Sequence, residues 1–294
     1  MTAPVESTGA PVLQCGRFRL SLDRPRIMAV LNLTPDSFSD GGRWLEPQAA
    51  IAQAYRLRDE GADLIDLGAE STRPGAAPVP ADEEWRRLAP VLDGLRTLGL
   101  PLSVDTRKPE VMRAALATGA VDLINDISGF DSPEAVRLVA ASEVACCVMH
   151  MRGDPQTMQT APVYQDVVQE VRAALASKVE VLRRAGVSPD RLLLDPGIGF
   201  GKRLPHNRVL LSRLRELVID GLPLLVGVSR KSMIGELTGR PVSERLAGSL
   251  AAMLAAVAHG AQIVRVHDVA ASRDALAVWN AVAEAPPPSN LKEA

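Results

Sequence analysis

An alternation that runs the length of the chain constrains the fold more than any other feature. Short apolar, β-branched runs at residues 27–31, 64–67, 102–104, 123–124, 144–149, 192–194, 224–228 and 263–266 alternate with longer amphipathic ones. Continuous apolar runs of this length suit parallel strands buried on both faces. The amphipathic runs carry helix punctuation. Pro109 sits where a first turn tolerates it, with Gly119 at the far end. Ser132-Pro133 opens another run, Gly186 closes the one from Gln165, and Ser243 and Gly260 bracket an Ala/Leu-rich one. Further helices are expected near 48–60, 82–98, 207–218 and 272–283. Eight strand-then-helix units predict a (β/α)8 TIM barrel, with an open doubly wound sheet as the alternative. Residues 12–22, with Gly16 as the turn, read as a β-hairpin closing the barrel floor.

A length of 294 residues fits one such domain. With 47% hydrophobic and 23% charged residues the chain is not a disordered one. Its 33 basic and 35 acidic residues give a net charge of -2, so nothing favours nucleic acid or an anionic membrane as partner. An aromatic content of 3% leaves no platform for stacking bases. Cys15, Cys146 and Cys147 form neither a disulfide framework nor a C-x-x-C pair, which suits a reducing compartment. The N-terminus lacks the basic-then-apolar pattern of a signal peptide. The most apolar helix, near 246–258, is interrupted by Gly248 and Ser249 and is too short to span a bilayer. A cytoplasmic protein is expected, with the barrel over residues 12–284 between flexible ends at 1–11 and 285–294, the latter holding Pro286, Pro287 and Pro288.

In such a barrel the chemistry collects at the C-terminal ends of the strands. The residues there are Asn32; Asp66, running into Glu70, Ser71, Thr72 and Arg73; Asp105; Asn125 and Asp126; Met149 and His150; Asp195; Ser229, Arg230 and Lys231; and Arg265, His267 and Asp268. Two carboxylates with an amide accept hydrogen bonds from a flat, N–H-rich heterocycle, and a lysine returns donors. Asp105, Asn125, Asp195 and Lys231 therefore suit a pterin or purine-like ring. Arg73, Arg265 and His267 suit a phosphate or diphosphate. Asn32 offers a hard oxygen of the kind that suits Mg²⁺ when a diphosphate supplies other ligands. The Gly- and Pro-rich loops at 34–42 and 71–75 can close over a substrate. Phe38 and Phe200 lie in strand-end loops and offer faces to an aromatic second substrate.

Plainer readings compete. Asp105 and Asn125 could cap the following helices, and Lys231 could be a solvated loop charge. His206 and His259 read as surface residues, and His150 as a cap or packing residue. Gly197, Gly199 and Gly201 look like a phosphate loop but lack a helix start directly behind them. No H-E-x-x-H pattern or dense histidine cluster points to zinc, and no G-x-S-x-G elbow points to a hydrolase. The neighbours Cys146 and Cys147 face opposite sides of a strand.

Longer motifs narrow the choice. MAVLNLTPDSFSDGG at 28–42 and GADLIDLGAESTRPG at 61–75 resemble the two signatures of dihydropteroate synthases. SVDT at 103–106, INDI at 124–127, VMHM at 148–151, DPGIGFGK at 195–202, SRKS at 229–232 and RVHDV at 265–269 follow in that family's order, so the resemblance covers roughly residues 25 to 280. It implies a (β/α)8 barrel that joins a dihydropterin carrying a CH2-diphosphate to 4-aminobenzoate. The products are 7,8-dihydropteroate and diphosphate, in a step of folate biosynthesis that sulfonamides target. It further implies that Asn32 binds Mg²⁺ together with the diphosphate. Thr72, Asp105, Asn125, Met149, Asp195, Gly227 and Lys231 would contact the dihydropterin. Arg73, Arg265 and His267 would hold the diphosphate, and Phe38, Phe200, Lys231 and Ser232 would flank the aminobenzoate. Asp105, Lys231, Arg265 and His267 would carry the catalysis, and a homodimer is expected. Departures are small: Ala29 replaces a frequent glycine and Ile198 a common phenylalanine. Two rivals share the barrel. One is a methyltransferase domain acting on methyltetrahydrofolate, disfavoured by the 34–42 loop and the Arg265–His267 pair. The other is a non-catalytic paralogue, disfavoured by intact Asn32, Arg73, Asp105 and Lys231.

Overall fold

The apolar runs need cover on both faces, and a closed ring of parallel strands surrounded by helices supplies it. The computed structural model describes residues 11–34, 47–71, 75–154, 156–160 and 162–283. Phe38, Thr72, Arg73 and both chain ends lie outside the described residues. A hairpin of β1 (Val12–Cys15) and β2 (Phe18–Ser21) comes first. The ring strands are β3 (Arg26–Asn32), β4 (Leu64–Gly68), β5 (Leu102–Asp105), β6 (Leu123–Asp126), β7 (Ala145–Met149), β8 (Leu192–Asp195), β9 (Leu225–Gly227) and β10 (Ile263–Val266). They pair in parallel in the order β8-β7-β6-β5-β4-β3-β10-β9, and a bridge from Leu194 to Leu224 joins the two ends. The TIM barrel is thus the fold, and the open doubly wound sheet is not.

Helices α1 (Pro47–Asp59), α2 (Ala81–Gly94), α3 (Pro109–Ala117), α4 (Pro133–Ala140), α5 (Val167–Arg184), α6 (Leu204–Ser212), α7 (Ser232–Thr238), α8 (Leu246–Ala258) and α9 (Val269–Ala283) surround it. Four differ from the sequence expectation. The helix α2 stops at Gly94, short of residue 98. The run 207–218 divides into α6 and a 3-10 turn, Leu214–Leu217. Ser272 lies inside α9 and does not precede it, its Oγ donating back to Asp268 O at 2.7 Å. The short α7 was not foreseen. Its presence explains Gly248: a Cβ there would lie 2.4 Å from Ile234 Cγ2, so the glycine admits α7 against α8 and does not break the helix. Ser249 likewise sits within an unbroken α8, its Oγ donating to Arg245 O at 2.7 Å. Among the described residues no helix is long and apolar enough to cross a membrane.

Period-two alternation sorts the strand residues between two cores. Outward ones, such as Ile65, Val104, Ile124, Cys146 and Leu194, pack against the helices. Inward ones form a smaller core of Met28, Leu64, Leu123, Ala145, Cys147, Leu193, Leu225 and Ile263. The expected opposition of Cys146 and Cys147 holds, and all three cysteines are free and buried. The hairpin closes the floor by adding Leu13 and Cys15 to the inner core, joined by Leu22. It is tied there by Asp122, whose Oδ1 accepts from Arg17 N at 3.0 Å and Arg17 Nε at 2.9 Å, and whose Oδ2 accepts from Leu102 N at 3.0 Å. Gly16 makes this approach in the left-handed region (φ 54), where a Cβ would stand 2.6 Å from Asp122 Cα.

Candidate active site

Above the inner apolar core the inward positions turn polar. Strand β4 carries Leu64, Asp66 and Gly68 inward in succession, β5 carries Ser103 and Asp105, and β10 carries Ile263 and Arg265. Arg265 unites three strands: its Nε donates to Asp66 Oδ2 at 2.6 Å and its Nη2 to Asp105 Oδ2 at 3.0 Å. Asp66, fully buried, also accepts from Ser103 Oγ at 2.5 Å and Asn125 Nδ2 at 3.2 Å. Burial foremost, then the Asp66 charge, raises the Asp105 carboxyl above its ordinary range, and Arg265 opposes the shift. Asn125 is buried, and its Oδ1 has no hydrogen-bond partner.

Across the mouth, Asp195 ends β8, accepting from Gly197 N at 2.7 Å. Burial raises its carboxyl as well, against the pull of the Lys231 charge. Lys231 is no solvated charge. Its Nζ donates to Ile198 O and lies 4.7 Å from the centre of the Phe200 ring. Burial pushes its ammonium down to about 8, with Asp195 resisting. His267 is half-buried, its ring Nδ1 3.0 Å from Ser229 Oγ. Met149 is buried at the end of β7, and Ser232 is exposed at the start of α7. A Cβ at Gly227 would lie 3.6 Å from Arg265 Cβ, an ordinary contact, so this glycine flanks Arg265 without being required by it.

The capping readings of Asp105 and Asn125 fail. Lys108 precedes α3 and Ser132 caps α4, while both strand-end side chains engage the Arg265 cluster. His206 is half-buried, accepting from Arg203 N at 3.2 Å and meeting Tyr164 edge-on, whereas His259 is exposed as expected. His150 packs inside, with its Nδ1 2.9 Å from Lys202 Nζ. That lysine is itself buried and also donates to Gly197 O and Phe200 O, each at 2.9 Å, and to His150 O at 3.2 Å. It pins the glycine-rich strand-end loop. Sequence reasoning gave no role to Asp66 or Lys202. The inward register of Leu64, Asp66 and Gly68 was the available signal for Asp66; a lysine in a glycine loop carries none.

Among the described residues no three His, Cys, Asp or Glu side chains converge to cage a metal. At the mouth, a Cβ on Gly68 would lie 3.8 Å from Asp105 Oδ2 and 3.9 Å from Asn32 Oδ1. Asp105 Oδ2 is already engaged by Arg265, so Asn32 Oδ1 is the hard oxygen that fits a Mg²⁺ ion taking its remaining ligands from a diphosphate and water.

The family profile described as pterin binding enzyme matches residues 28–267. A dihydropteroate synthase of Neisseria meningitidis serogroup B is 52% identical over 277 residues, spanning 92% of this chain and 97% of the relative. The chain belongs to the dihydropteroate synthase family. The family's Escherichia coli K12 member is 47% identical over 267 residues, 90% of this chain and 94% of its own. The crystal structure of Burkholderia cenocepacia dihydropteroate synthase complexed with 7,8-dihydropteroate superposes with a TM-score of 0.85 at 51% identity, covering 93% of this chain and 97% of that one. Xanthomonas albilineans dihydropteroate synthase with 4-aminobenzoic acid superposes at 0.88 and 50% identity, covering 94% and 100%. The chain is thus an enzyme, a transferase.

Proposed function

We propose that this chain condenses a (7,8-dihydropterin-6-yl)methyl diphosphate with 4-aminobenzoate, giving 7,8-dihydropteroate and diphosphate. The observation that carries the reading is the convergence of Asp66, Asp105, Asn125, Asp195, Lys231 and Arg265 on one mouth, in a chain half identical to synthases solved with this product and this amine. Asn125 Oδ1 and Asp195 accept from ring N–H groups, and Lys231 donates to ring acceptors while its stem and the Phe200 ring form an aromatic-facing wall. The pterin methylene C–O bond breaks, its electron pair leaving with the diphosphate. The arylamine nitrogen then bonds to that carbon and loses a proton. Asp105 stabilises the positive charge that develops on the ring. Arg265 and His267, with Arg73, offset the charge of the leaving group. Asn32 would hold a Mg²⁺ ion together with the diphosphate, and the ion would supply further positive charge to that group.

The test is diphosphate release from purified protein, Mg²⁺ and the dihydropterin diphosphate, with and without 4-aminobenzoate. Release that depends on the amine and yields dihydropteroate supports the synthase. No turnover, with pterin binding intact and no affinity for 4-aminobenzoate, would favour the methyltransferase-like or non-catalytic alternative. A homodimer and a cytoplasmic location belong to the same reading, and light scattering on the purified chain tests the first.

A further inference from the structure

Asp66 is wholly buried beneath the mouth, and the reaction scheme above gives it no contact with substrate. Its partners, however, are residues that do face the mouth. Oδ2 receives Arg265 Nε at 2.6 Å and Asn125 Nδ2 at 3.2 Å, and Oδ1 receives Ser103 Oγ at 2.5 Å. An arginine Nε–H only donates, so Oδ2 is an acceptor there. Asn125 must then turn its NH2 toward Asp66 and its carbonyl away. That carbonyl oxygen, Oδ1, is the buried atom left without a partner. A buried acceptor without a donor is destabilising, and a ligand N–H placed opposite it relieves that cost.

We infer that Asp66 is a positioning residue that fixes the Asn125 amide with its oxygen toward the substrate, so the site selects a ring offering an N–H at that point. It also holds the Arg265 guanidinium against Asp105. The inference rests on the synthase reading and deepens it. Among the described residues Asp66 bonds to Ser103, Asn125 and Arg265 and not to the aminobenzoate side at Phe200, Lys231 and Ser232, so dihydropteroate affinity and the KM for 4-aminobenzoate report on different things.

The experiment measures affinity for 7,8-dihydropteroate and KM for 4-aminobenzoate in D66A and D66N. In D66A nothing holds the Asn125 amide. Affinity for dihydropteroate is expected to fall about tenfold or more, with the KM for 4-aminobenzoate changed less than about twofold. In D66N the amide oxygen can keep Arg265 and Asn125 while the amide nitrogen turns to Ser103, whose hydroxyl also accepts. Most of the loss is then recovered, to within about threefold of the parent. Should D66A not fold, D66S, too short to reach Asn125, carries the same expectation. A truncated variant that binds dihydropteroate as the parent does would overturn the inference. So would equal losses in D66N and D66A, or equal losses in dihydropteroate affinity and in the KM for 4-aminobenzoate. A parent chain that makes no dihydropteroate fails the synthase reading instead, so the two failures are distinct.

Discussion

Lys202 Nζ lies 2.9 Å from His150 Nδ1, and both side chains are buried. Nζ is a donor to the carbonyls around it, so the imidazole nitrogen serves as the acceptor, and burial keeps the ring neutral as it also holds the Lys202 ammonium well below its ordinary range. Burial first and the Lys202 charge second push His150 from 6.5 down to about 3. The unfolded chain takes up that proton near pH 6.5 and the folded one does not, so stability is lost on acidification through this window. Between pH 6.5 and pH 5 the loss is about 2 kcal/mol. Thermal melts over this range should show the fall in the parent and a flatter profile in H150Q, whose amide oxygen can still accept from Lys202.

Lys231 gives the opposite limb. Its ammonium, lowered to about 8 by burial, is charged below that pH and neutral above it. Affinity for 7,8-dihydropteroate should therefore decline above pH 8, approaching tenfold per pH unit. In K231R, which stays charged, the alkaline limb should move upward even if affinity at neutral pH is reduced. Calorimetric titrations from pH 7 to 9.5 would settle it, and identical limbs in the two proteins would remove Lys231 from contact with the ligand.

Asp105 should separate binding from chemistry. D105N keeps the shape but not the charge opposite Arg265, and kcat should fall roughly 100-fold or more while diphosphate-substrate affinity changes much less. Because its carboxyl is raised, the charged form is lost as pH falls, beginning above the usual carboxylate range. The acid limb of kcat/KM in the parent should lie correspondingly high. Unchanged kcat in D105N would exclude the role.

Gly197 has φ 66, and a Cβ there would stand 1.9 Å from the His150 carbonyl oxygen, a backbone atom that cannot step aside. G197A should cost more than about 2 kcal/mol and displace Phe200 with the loop. Gly239 has a similar φ of 72 with nothing near its Cβ position, so G239A carries only the backbone strain, about 1 kcal/mol. Equal melting temperatures for the two variants would show that contact with the β7 loop does not matter.

The strand ends were legible because the chemistry changes abruptly there. Leu102, Ser103 and Val104 are fully buried and Asp105 is not, and Leu192, Leu193 and Leu194 run straight into Asp195. The hairpin was legible from Gly16 between two short apolar runs. The Asp66–Arg265 pair was not, because its members are 199 residues apart and only ring closure brings β4 and β10 to either side of β3. Lys202 was hidden for another reason: a lysine buried against carbonyls has the same sequence signature as one in solvent. The helix α7 is only seven residues long and contains Gly235, too short for its periodicity to stand out.

The floor hairpin has a kinetic consequence. With Met28, Leu64, Leu193 and their neighbours filling the interior and Leu13, Cys15 and Leu22 closing the floor beneath them, the strand-end mouth is the face left to ligands. Asn125 and Asp195 are buried while Phe200 is half-buried and Ser232 exposed, so on the proposed reading the ring seated beside the first pair would enter before an amine settles near the second. The condensed product must then back out along the path both reactants used. Traffic through such a mouth is a queue, and its sequence is set by depth.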